Sequence, residues 1–241
     1  MDGTINAAPA RRNLGTAIAG GLIGSIITAA LLLFAAPQFL SGRIVRQGML
    51  ADPRILSETV EALRDQQYAP VLAANRVALE TPFASSWRGS AKPDVTLVEF
   101  YDYACPYCKA SNPHVDRLVQ EDKGLRVVYR ELPILGPDSL TAARLALQAS
   151  KAGRFQKFHD TLWEAGRPAP ETLNAAAQAA NISTTLQNDP AIEAELKRNF
   201  QLAGQLGATG TPLFIVGDRV MNSAVGYDAL KQAIEVARRK G

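Results

Sequence analysis

The only two cysteines of this 241-residue chain, Cys105 and Cys108, are separated by two residues. They directly follow residues 95–101, a run rich in β-branched and aromatic side chains, and residues 109–120 have a helical pattern. The pair therefore lies where a strand passes into the N-terminus of a helix. Free N–H groups and the helix dipole stabilise a thiolate at such a place. The spacing and the position together predict thiol–disulfide redox chemistry.

The residues between the two cysteines indicate which cysteine is the nucleophile and which is the resolving thiol. Pro106 suits the first turn of the helix, because its missing N–H group is not needed there. Cys105 would then cap the helix with an exposed sulfur, and Cys108 would lie one turn further in. We therefore predict that Cys105 is the nucleophile and Cys108 the resolving thiol, with Pro106 and Tyr107 facing the substrate.

Composition places the chain among ordinary globular proteins, with 47% hydrophobic and 20% charged residues. These values exclude collagen-like, disordered and disulfide-scaffold classes. The net charge is only +3, and no basic cluster is interleaved with aromatic residues. We therefore expect no nucleic-acid partner.

The N-terminal region contains a long apolar segment. No charged residue lies between Arg12 and Arg43, and residues 14–36 would span roughly 35 Å as a helix, enough to cross a bilayer. We predict a cytoplasmic tail at 1–12 and an uncleaved transmembrane anchor at 13–40. A cleaved signal peptide is the alternative, but its apolar stretch is normally shorter.

The helix-start, helix-break and linker signals in residues 41–94 predict a helical stalk followed by a linker. Asp52 begins a helix that runs to Gln67, and Pro70 separates it from a second, short helix at 71–79. The rest of this region has the glycine and proline content of a linker, with room for one edge strand.

Three apolar residues of the stalk, Met49, Leu56 and Leu63, lie seven positions apart. A heptad spacing of this kind predicts a homo-oligomer, although Pro70 ends the pattern after three members. The alternative is a helix that packs back on its own domain.

Residues 95–241 alternate between strand and helix patterns. Strand, helix and strand are followed by a long helical stretch, then two strands and a final helix. This order predicts an α/β sheet with its functional site at the carboxyl end of a strand. The stretch at about 139–206 is too long for one crossover, so we predict an inserted helical subdomain.

The segment from Phe100 to Cys108, FYDYACPYC, resembles the active-site signature of the DsbA-like thiol–disulfide oxidoreductase family. The resemblance covers residues 95–241 and implies a thioredoxin fold with a helical insertion. Residues 51–56 also resemble the N-terminal helix of the ScsC-like branch, whose members oligomerise.

The resemblance implies roles for three further residues. Glu99, six positions before Cys105, matches a buried carboxylate whose raised pKa suits proton exchange with Cys108. Thr211 and Pro212, directly before an apolar strand, match the family's cis-proline. A substrate peptide would then pair with the Thr211 backbone beside Cys105.

These features together predict a membrane-anchored oxidase in a bacterial periplasm that acts on cysteine-containing proteins. It would need a membrane redox partner for reoxidation, and no metal or organic cofactor. An oligomeric disulfide isomerase or reductase is one alternative. A carrier that binds Cu(I) through two thiolates is another, although His114 and His159 are the only histidines available as further ligands.

Overall fold

A computed structural model describes residues 36–240, which divide after Glu61 into two compact units. The first unit contains helix α1 (Ala36–Ala51) and the beginning of helix α2 (Arg54–Glu80). No helix within residues 36–240 is long and apolar enough to cross a membrane. The predicted tail and all but the last five residues of the predicted anchor lie outside the described residues.

The second unit contains five strands and six further helices within the described part of the chain. In chain order they are β1 (Trp87–Gly89), β2 (Val95–Tyr101), α3 (Pro106–Glu121), β3 (Leu125–Glu131), α4 (Pro137–Lys151), α5 (Phe155–Ala165), α6 (Pro170–Ala180), α7 (Pro190–Gln205), β4 (Leu213–Val216), β5 (Arg219–Met221) and α8 (Tyr227–Lys240).

The strands form one mixed sheet in the order β1-β3-β2-β4-β5. The central strand β2 is parallel to β3 and antiparallel to β4, and the outer strands β1 and β5 are both antiparallel to their neighbours. Glu99 of β2 is paired with Tyr129 on one side and Phe214 on the other. It therefore lies at the centre of the sheet, close to the end of β2 from which the active-site helix departs.

The two faces of the sheet are both covered, which explains why β2 is apolar on both sides. Side chains alternate along the strand, so Leu97 and Tyr101 face one layer and Val98 and Phe100 face the other. The first layer includes α3 and α5, and the second includes α2 and α7. The side chains packed against these faces are Val115, Leu118, Phe155 and Phe158 in the first layer and Leu72, Leu79 and Leu202 in the second.

The predicted break of the stalk helix at Pro70 is wrong. Helix α2 runs without interruption through Pro70 to Glu80. A proline inside a helix removes one hydrogen bond and clashes with the preceding turn. Here the helix continues because Leu72 and Leu79, beyond the proline, are buried against the sheet.

Between β3 and β4 the chain forms four helices, α4 to α7, where the sequence predicts an inserted helical subdomain. Helices α5 and α6 pack on the same face of the sheet as α3. The strand-like linker segment is β1, an edge strand paired only with β3. Helices α5 and α6 of the insertion thus pack in the layer that holds the two cysteines, whereas α7 packs on the other face.

Candidate active site

Cys105 is the N-cap residue of α3, and Pro106 is at the first helical position. The Cys105 backbone is extended, with φ of −81° and ψ of 118°, and its N–H donates to the carbonyl of Asp102 at 2.9 Å. The Cys105 Sγ lies 3.2 Å from the carbonyl oxygen of Thr211. The chain thus brings together two residues that are 106 positions apart in the sequence.

Cys108 lies one turn inside the helix and is fully buried. The prediction of an exposed Cys105 sulfur is wrong: Cys105 is also buried, with 5% of its surface exposed, because its sulfur packs against the Thr211 carbonyl. The two cysteines are free thiols in this structure. Burial raises the pKa of Cys108 well above its usual range, and the nearby Glu99 adds to this rise, although the Asp102 backbone opposes it. Pro106 and Tyr107 are both exposed, so the segment between the cysteines is open to solvent.

The Thr211–Pro212 peptide bond is cis, as the resemblance implies. Pro212 is buried directly before β4, and Thr211 remains partly exposed beside the Cys105 sulfur. The backbone of Thr211 therefore lies directly beside the Cys105 sulfur.

Glu99 is buried, with only 1% of its surface exposed, and neither carboxyl oxygen has a hydrogen-bond partner within residues 36–240. Burial raises the pKa of Glu99 to about 8; Asp116 adds to the rise and Arg88 opposes it. Strand alternation places Glu99 on the face covered by α3, the helix that carries Cys108. Near neutral pH the group is therefore a protonated acid next to a buried thiol.

Arg88 of β1 connects the active-site helix to the helical insertion. Its guanidinium donates to Asp116 of α3 and to Asp160 of α5. Burial lowers the pKa of Arg88, but Tyr129 and the two carboxylates more than offset this, so the net shift is upward. Arg88 and its two carboxylate partners line a cavity of about 220 Å³. The other lining residues are Asn112, Tyr129, His159, Trp163 and Glu164.

Asp102 holds the turn before Cys105 in place, a role that the sequence analysis did not assign. Its carboxylate accepts hydrogen bonds from the backbone N–H groups of Ala104 at 2.8 Å, Ile134 at 2.8 Å and Leu135 at 2.9 Å. Its side chain is buried, at 1% exposure. The one available signal was an acidic residue at the end of an apolar strand, a position that favours capping of nearby N–H groups.

His159 belongs to a buried aromatic network and not to a ligand set. Its Nε2 accepts from the indole N–H of Trp163 at 3.1 Å, and its Nδ1 lies 3.0 Å from the hydroxyl of Tyr103. The hydroxyl of Tyr101 then links Tyr103 to Glu131. Burial lowers the pKa of His159 and Arg88 adds to this, so the ring is neutral and packs as part of the core.

Within residues 36–240 no group of three or more cysteine, histidine or acidic side chains is close enough together to hold a metal ion. Chemically, the site contains two buried sulfurs: that of Cys105, which is 5% exposed, and that of Cys108 behind it, which interacts with the buried Glu99. Such an arrangement can accept a mixed disulfide at the first sulfur and supply a proton to the second.

Among curated proteins, the chain is 28% identical over 157 residues to the Na(+)/H(+) antiporter NhaA 1 of Salinispora arenicola. That match covers 62% of this chain and 24% of the antiporter, so the chain spans about a quarter of that relative's length. The chain is also 27% identical over 165 residues to Disulfide bond formation protein D of Bacillus subtilis, which covers 61% of this chain and 74% of that protein.

Three solved structures resemble the fold. A thioredoxin-like oxidoreductase from Silicibacter pomeroyi is 37% identical, with a TM-score of 0.64 over 68% of this chain and 98% of its own. A periplasmic thioredoxin-like protein from Salmonella enterica serovar Typhimurium is 31% identical, with a TM-score of 0.63 over 68% and 95%. A linker-deletion and N6K mutant of Proteus mirabilis ScsC is 27% identical, with a TM-score of 0.66 over 86% and 97%.

A model of the DSBA-like thioredoxin domain matches residues 96–235, more than half of the chain. The matched region begins in β2 and ends in α8, so it contains the cysteine pair, the cis peptide bond and the four inserted helices. The chain therefore belongs to the DSBA-like thioredoxin domain family.

Proposed function

We propose that this protein is a disulfide oxidoreductase that exchanges disulfides with cysteine-containing proteins through Cys105 and Cys108, acting as an oxidase. The observation that carries the proposal is the position of the Cys105 sulfur, at the N-terminus of α3 and 3.2 Å from the Thr211 carbonyl. Cys108, one turn behind, is fully buried. Cys105 is the less buried of the two, at 5% exposure, so we infer that a substrate attacks the first sulfur and not the second.

The reaction starts from the enzyme with a Cys105–Cys108 disulfide. A substrate thiolate attacks Cys105, the bond between the two enzyme sulfurs breaks, and its electron pair leaves on Cys108, which takes up a proton. A second substrate thiolate then attacks the substrate sulfur of the mixed disulfide and releases Cys105. Two electrons pass from the substrate dithiol to the enzyme, and the substrate leaves as a disulfide.

Glu99 supplies the proton that Cys108 needs when it leaves. The carboxyl group is protonated near neutral pH because its pKa is about 8, and the raised pKa of Cys108 makes its thiolate a strong proton acceptor. The reverse transfer occurs when the enzyme dithiol is reoxidised. In the mixed disulfide, Thr211 and Pro212 hold the substrate backbone, and Pro106 and Tyr107 contact its side chains.

We further propose a location in the bacterial inner membrane, with residues 13–40 as the anchor and the catalytic domain in the periplasm. The uncharged segment before Arg43 supports the anchor. The similarity to a thioredoxin-like protein described as periplasmic supports the compartment. Reoxidation would then come from a membrane redox partner that takes electrons from the enzyme dithiol.

The second candidate function is that of an oligomeric disulfide isomerase or reductase. It is favoured by the similarity to the ScsC structure, which covers 86% of this chain, including stalk residues. Such an enzyme needs a partner that keeps both cysteines reduced. A copper carrier is a third candidate, for which the described residues offer two thiolates and no further ligand.

Two cysteine substitutions test the proposed reaction. Cys105→Ser should abolish oxidation of a reduced, unfolded substrate protein in metal-free buffer, because the attacked sulfur is gone. Cys108→Ser, incubated with the disulfide form of the substrate protein, should instead accumulate mixed disulfides, seen as higher-mass bands on a non-reducing gel. Cys105 attacks the substrate disulfide and one substrate sulfur leaves as a thiolate, but the thiol that would release Cys105 is absent. Full activity of Cys105→Ser would rule out the proposed mechanism, and wild-type protein that binds Cu(I) without turning over substrate would favour the carrier.

The direction of exchange is tested by the reduction potential of the pair, measured by equilibration with glutathione. An oxidase should have a potential of about −120 to −150 mV, near the oxidising end of known catalysts. The expected physical cause is stabilisation of the reduced form by the N-terminus of α3, where Cys105 lies. A potential near or below about −200 mV would contradict the oxidase and favour the isomerase or reductase.

A further inference from the structure

Residues 102–105 form the tight turn that leads from β2 into α3. The turn is closed by the N–H of Cys105, which donates to the Asp102 carbonyl at 2.9 Å, and the Asp102 carboxylate accepts the N–H of Ala104 at 2.8 Å. The Cys105 sulfur lies 3.2 Å from the Thr211 carbonyl. Because Cys105 is the last residue of the turn, the position of its sulfur depends on how firmly the turn is held.

Tyr103, inside this turn, connects it to the helical insertion. Its hydroxyl lies 3.0 Å from Nδ1 of His159 and 3.1 Å from the hydroxyl of Tyr101. His159 is on α5, 56 positions further along the chain, and both Tyr103 and His159 are 3% exposed. A buried hydrogen bond therefore joins the insertion to the turn that carries the nucleophile.

The other neighbour of His159 decides which ring nitrogen carries the hydrogen. The indole nitrogen of Trp163 always carries a hydrogen and can only donate, and it lies 3.1 Å from Nε2 of His159. Nε2 is therefore the acceptor. Burial lowers the pKa of His159 and keeps the ring neutral, so its one N–H group is at Nδ1. His159 thus donates a hydrogen bond to the Tyr103 hydroxyl.

The hydroxyl of Tyr103 is not needed to bury its ring. The ring packs against Phe158 and Trp163, whose ring centroids lie 6.3 Å and 5.0 Å from its own, and phenylalanine would make the same contacts. A buried hydroxyl is costly unless it has a partner. The hydrogen bond adds direction, because a buried polar network selects one arrangement of side chains where apolar packing allows several.

We propose that His159 is a positioning residue for disulfide exchange: its Nδ1–H group fixes the Tyr103 hydroxyl, and Tyr103 fixes the turn that sets the position of the Cys105 sulfur. Misplacement of a reacting atom by about 1 Å can slow a reaction about a hundred-fold. The helical insertion thus contributes to the reaction by ordering the nucleophile. The inference rests on the proposed function and gives the insertion a role in it.

Two amide substitutions at position 159 separate the roles of the two ring nitrogens. The short side chain of His159→Asn places its amide where Nδ1 was, so it can still donate to Tyr103. The longer side chain of His159→Gln places its amide where Nε2 was, so it can accept from Trp163 but leaves the Tyr103 hydroxyl without this donor. Asparagine leaves the larger gap in the core. A role in packing alone therefore makes asparagine the more damaging change, whereas the proposed role makes glutamine the more damaging one.

The rates are measured on the full chain, first converted to its disulfide form and then reacted with dithiothreitol or with a reduced peptide that contains two cysteines. We expect the rate with dithiothreitol and the limiting rate with the peptide to fall about ten-fold in His159→Gln and to stay within two-fold of wild type in His159→Asn. The half-saturating concentration of the peptide should not change, because the substitution acts on Cys105 and not on peptide contacts. Urea unfolding should rank the two variants in the opposite order, with His159→Asn the less stable.

Tyr103→Phe removes the other half of the hydrogen bond and should reproduce the loss of rate. Combined with His159→Gln it should be no slower than either single variant, because both remove the same contact. Amide hydrogen exchange at Cys105, whose N–H closes the turn, should become about ten-fold faster in both single variants. Phe158→Leu is the matched control, because Phe158 contacts the Tyr103 ring from the same helix without a hydrogen bond, and it should keep the wild-type rate and exchange.

Slower reaction of His159→Asn than of His159→Gln would overturn the inference, and so would a wild-type rate in Tyr103→Phe. Failure of the proposed function gives a different result. If the protein is not an oxidoreductase, the wild-type disulfide form reacts with dithiothreitol and with the peptide no faster than oxidised glutathione does. If only the positioning role is wrong, wild-type protein reacts faster than oxidised glutathione with both, and the rates of the variants do not follow the loss of the Tyr103 hydrogen bond.

Discussion

Glu99 is the residue whose chemistry depends most on its surroundings. Its carboxyl group is buried without a hydrogen-bond partner, an arrangement that is costly for a charged group and tolerable for a neutral one. The protein therefore keeps a proton on Glu99 at pH values where an exposed glutamate would have lost it. The same property that suits it to proton transfer makes the folded state sensitive to pH.

We expect Glu99→Gln to flatten the dependence of stability on pH. The folded-state pKa of Glu99, about 8, is above its unfolded value, so this group's contribution to stability is complete below the unfolded value and is lost as pH rises through about 8. In wild-type protein this loss amounts to roughly 3 to 5 kcal/mol, and the glutamine variant should not show it. The measurement is the free energy of unfolding in urea at pH 5, 6.5 and 8.

The comparison needs a control, because burial also raises the pKa of Glu131. The contribution of Glu131 to stability is therefore also lost as the pH rises. Glu131 is present in both proteins, so its contribution cancels in the difference between variant and wild type. Glu58→Gln, at a solvent-exposed position of α2, should follow the wild-type curve. Parallel curves for Glu99→Gln and wild type would mean that Glu99 is ionised in the folded protein.

At the scale of elements, Arg130 of β3 joins two helices to the second face of the sheet. Its guanidinium donates to Glu195 of α7 and to the backbone carbonyls at the C-terminal end of α2, including Leu79 at 3.1 Å and Thr81 at 2.6 Å. Arg130 is 1% exposed and Glu195 is 4% exposed. An ion pair this deeply buried is costly to break, because the remaining charge has no water around it.

We therefore expect Arg130→Met to destabilise the protein by about 3 to 5 kcal/mol, because the carbonyls of Ala78, Leu79 and Thr81 lose this donor and Glu195 keeps only its longer contact with Arg198 at 3.9 Å. Urea unfolding followed by circular dichroism measures this change. The matched control is Arg144→Met, which removes an exposed pair with Glu193 and should cost no more than about 1 kcal/mol. Similar losses in the two variants would show that the Arg130 contacts contribute no more than a surface pair.

At the scale of the whole molecule, the stalk carries apolar side chains on its surface. In the unit that ends at Glu61, Met49, Ile55, Leu56 and Val60 are 38%, 41%, 55% and 40% exposed. Leu56 and Val60 lie four residues apart and therefore on one side of α2. A helix with an exposed apolar side is stabilised when it packs against a second copy of itself.

We expect the chain to self-associate through this helix, and Leu56→Glu combined with Val60→Glu to produce monomers. Sedimentation velocity in a mild detergent, chosen because residues 13–40 are the proposed anchor, measures the mass. Phe200→Glu, at a 43% exposed position of α7, is the control and should keep the wild-type mass. A wild-type protein that sediments as a monomer at micromolar concentration would contradict self-association and weaken the isomerase alternative.

The sequence by itself determined the features that depend on local order. The run of β-branched residues before Cys105 and the proline after it were enough to place a strand, a cap and a helix, because these preferences act over a few neighbouring residues. The cis bond before Pro212 and the burial of Glu99 were implied by the resemblance, and both are present in the structure. The roles of these residues in catalysis stay predictions.

Only the tertiary structure decided the features that depend on distant partners. Helix α2 continues through Pro70 because residues beyond the proline are buried on a sheet that forms much later in the chain. The hydrogen bond from Ala104 to Asp102 is local, but the other two that its carboxylate accepts come from amides 32 and 33 positions away. Local sequence preferences are weak compared with the burial of apolar surface and the pairing of buried charges, and both of these exist only once the chain has folded.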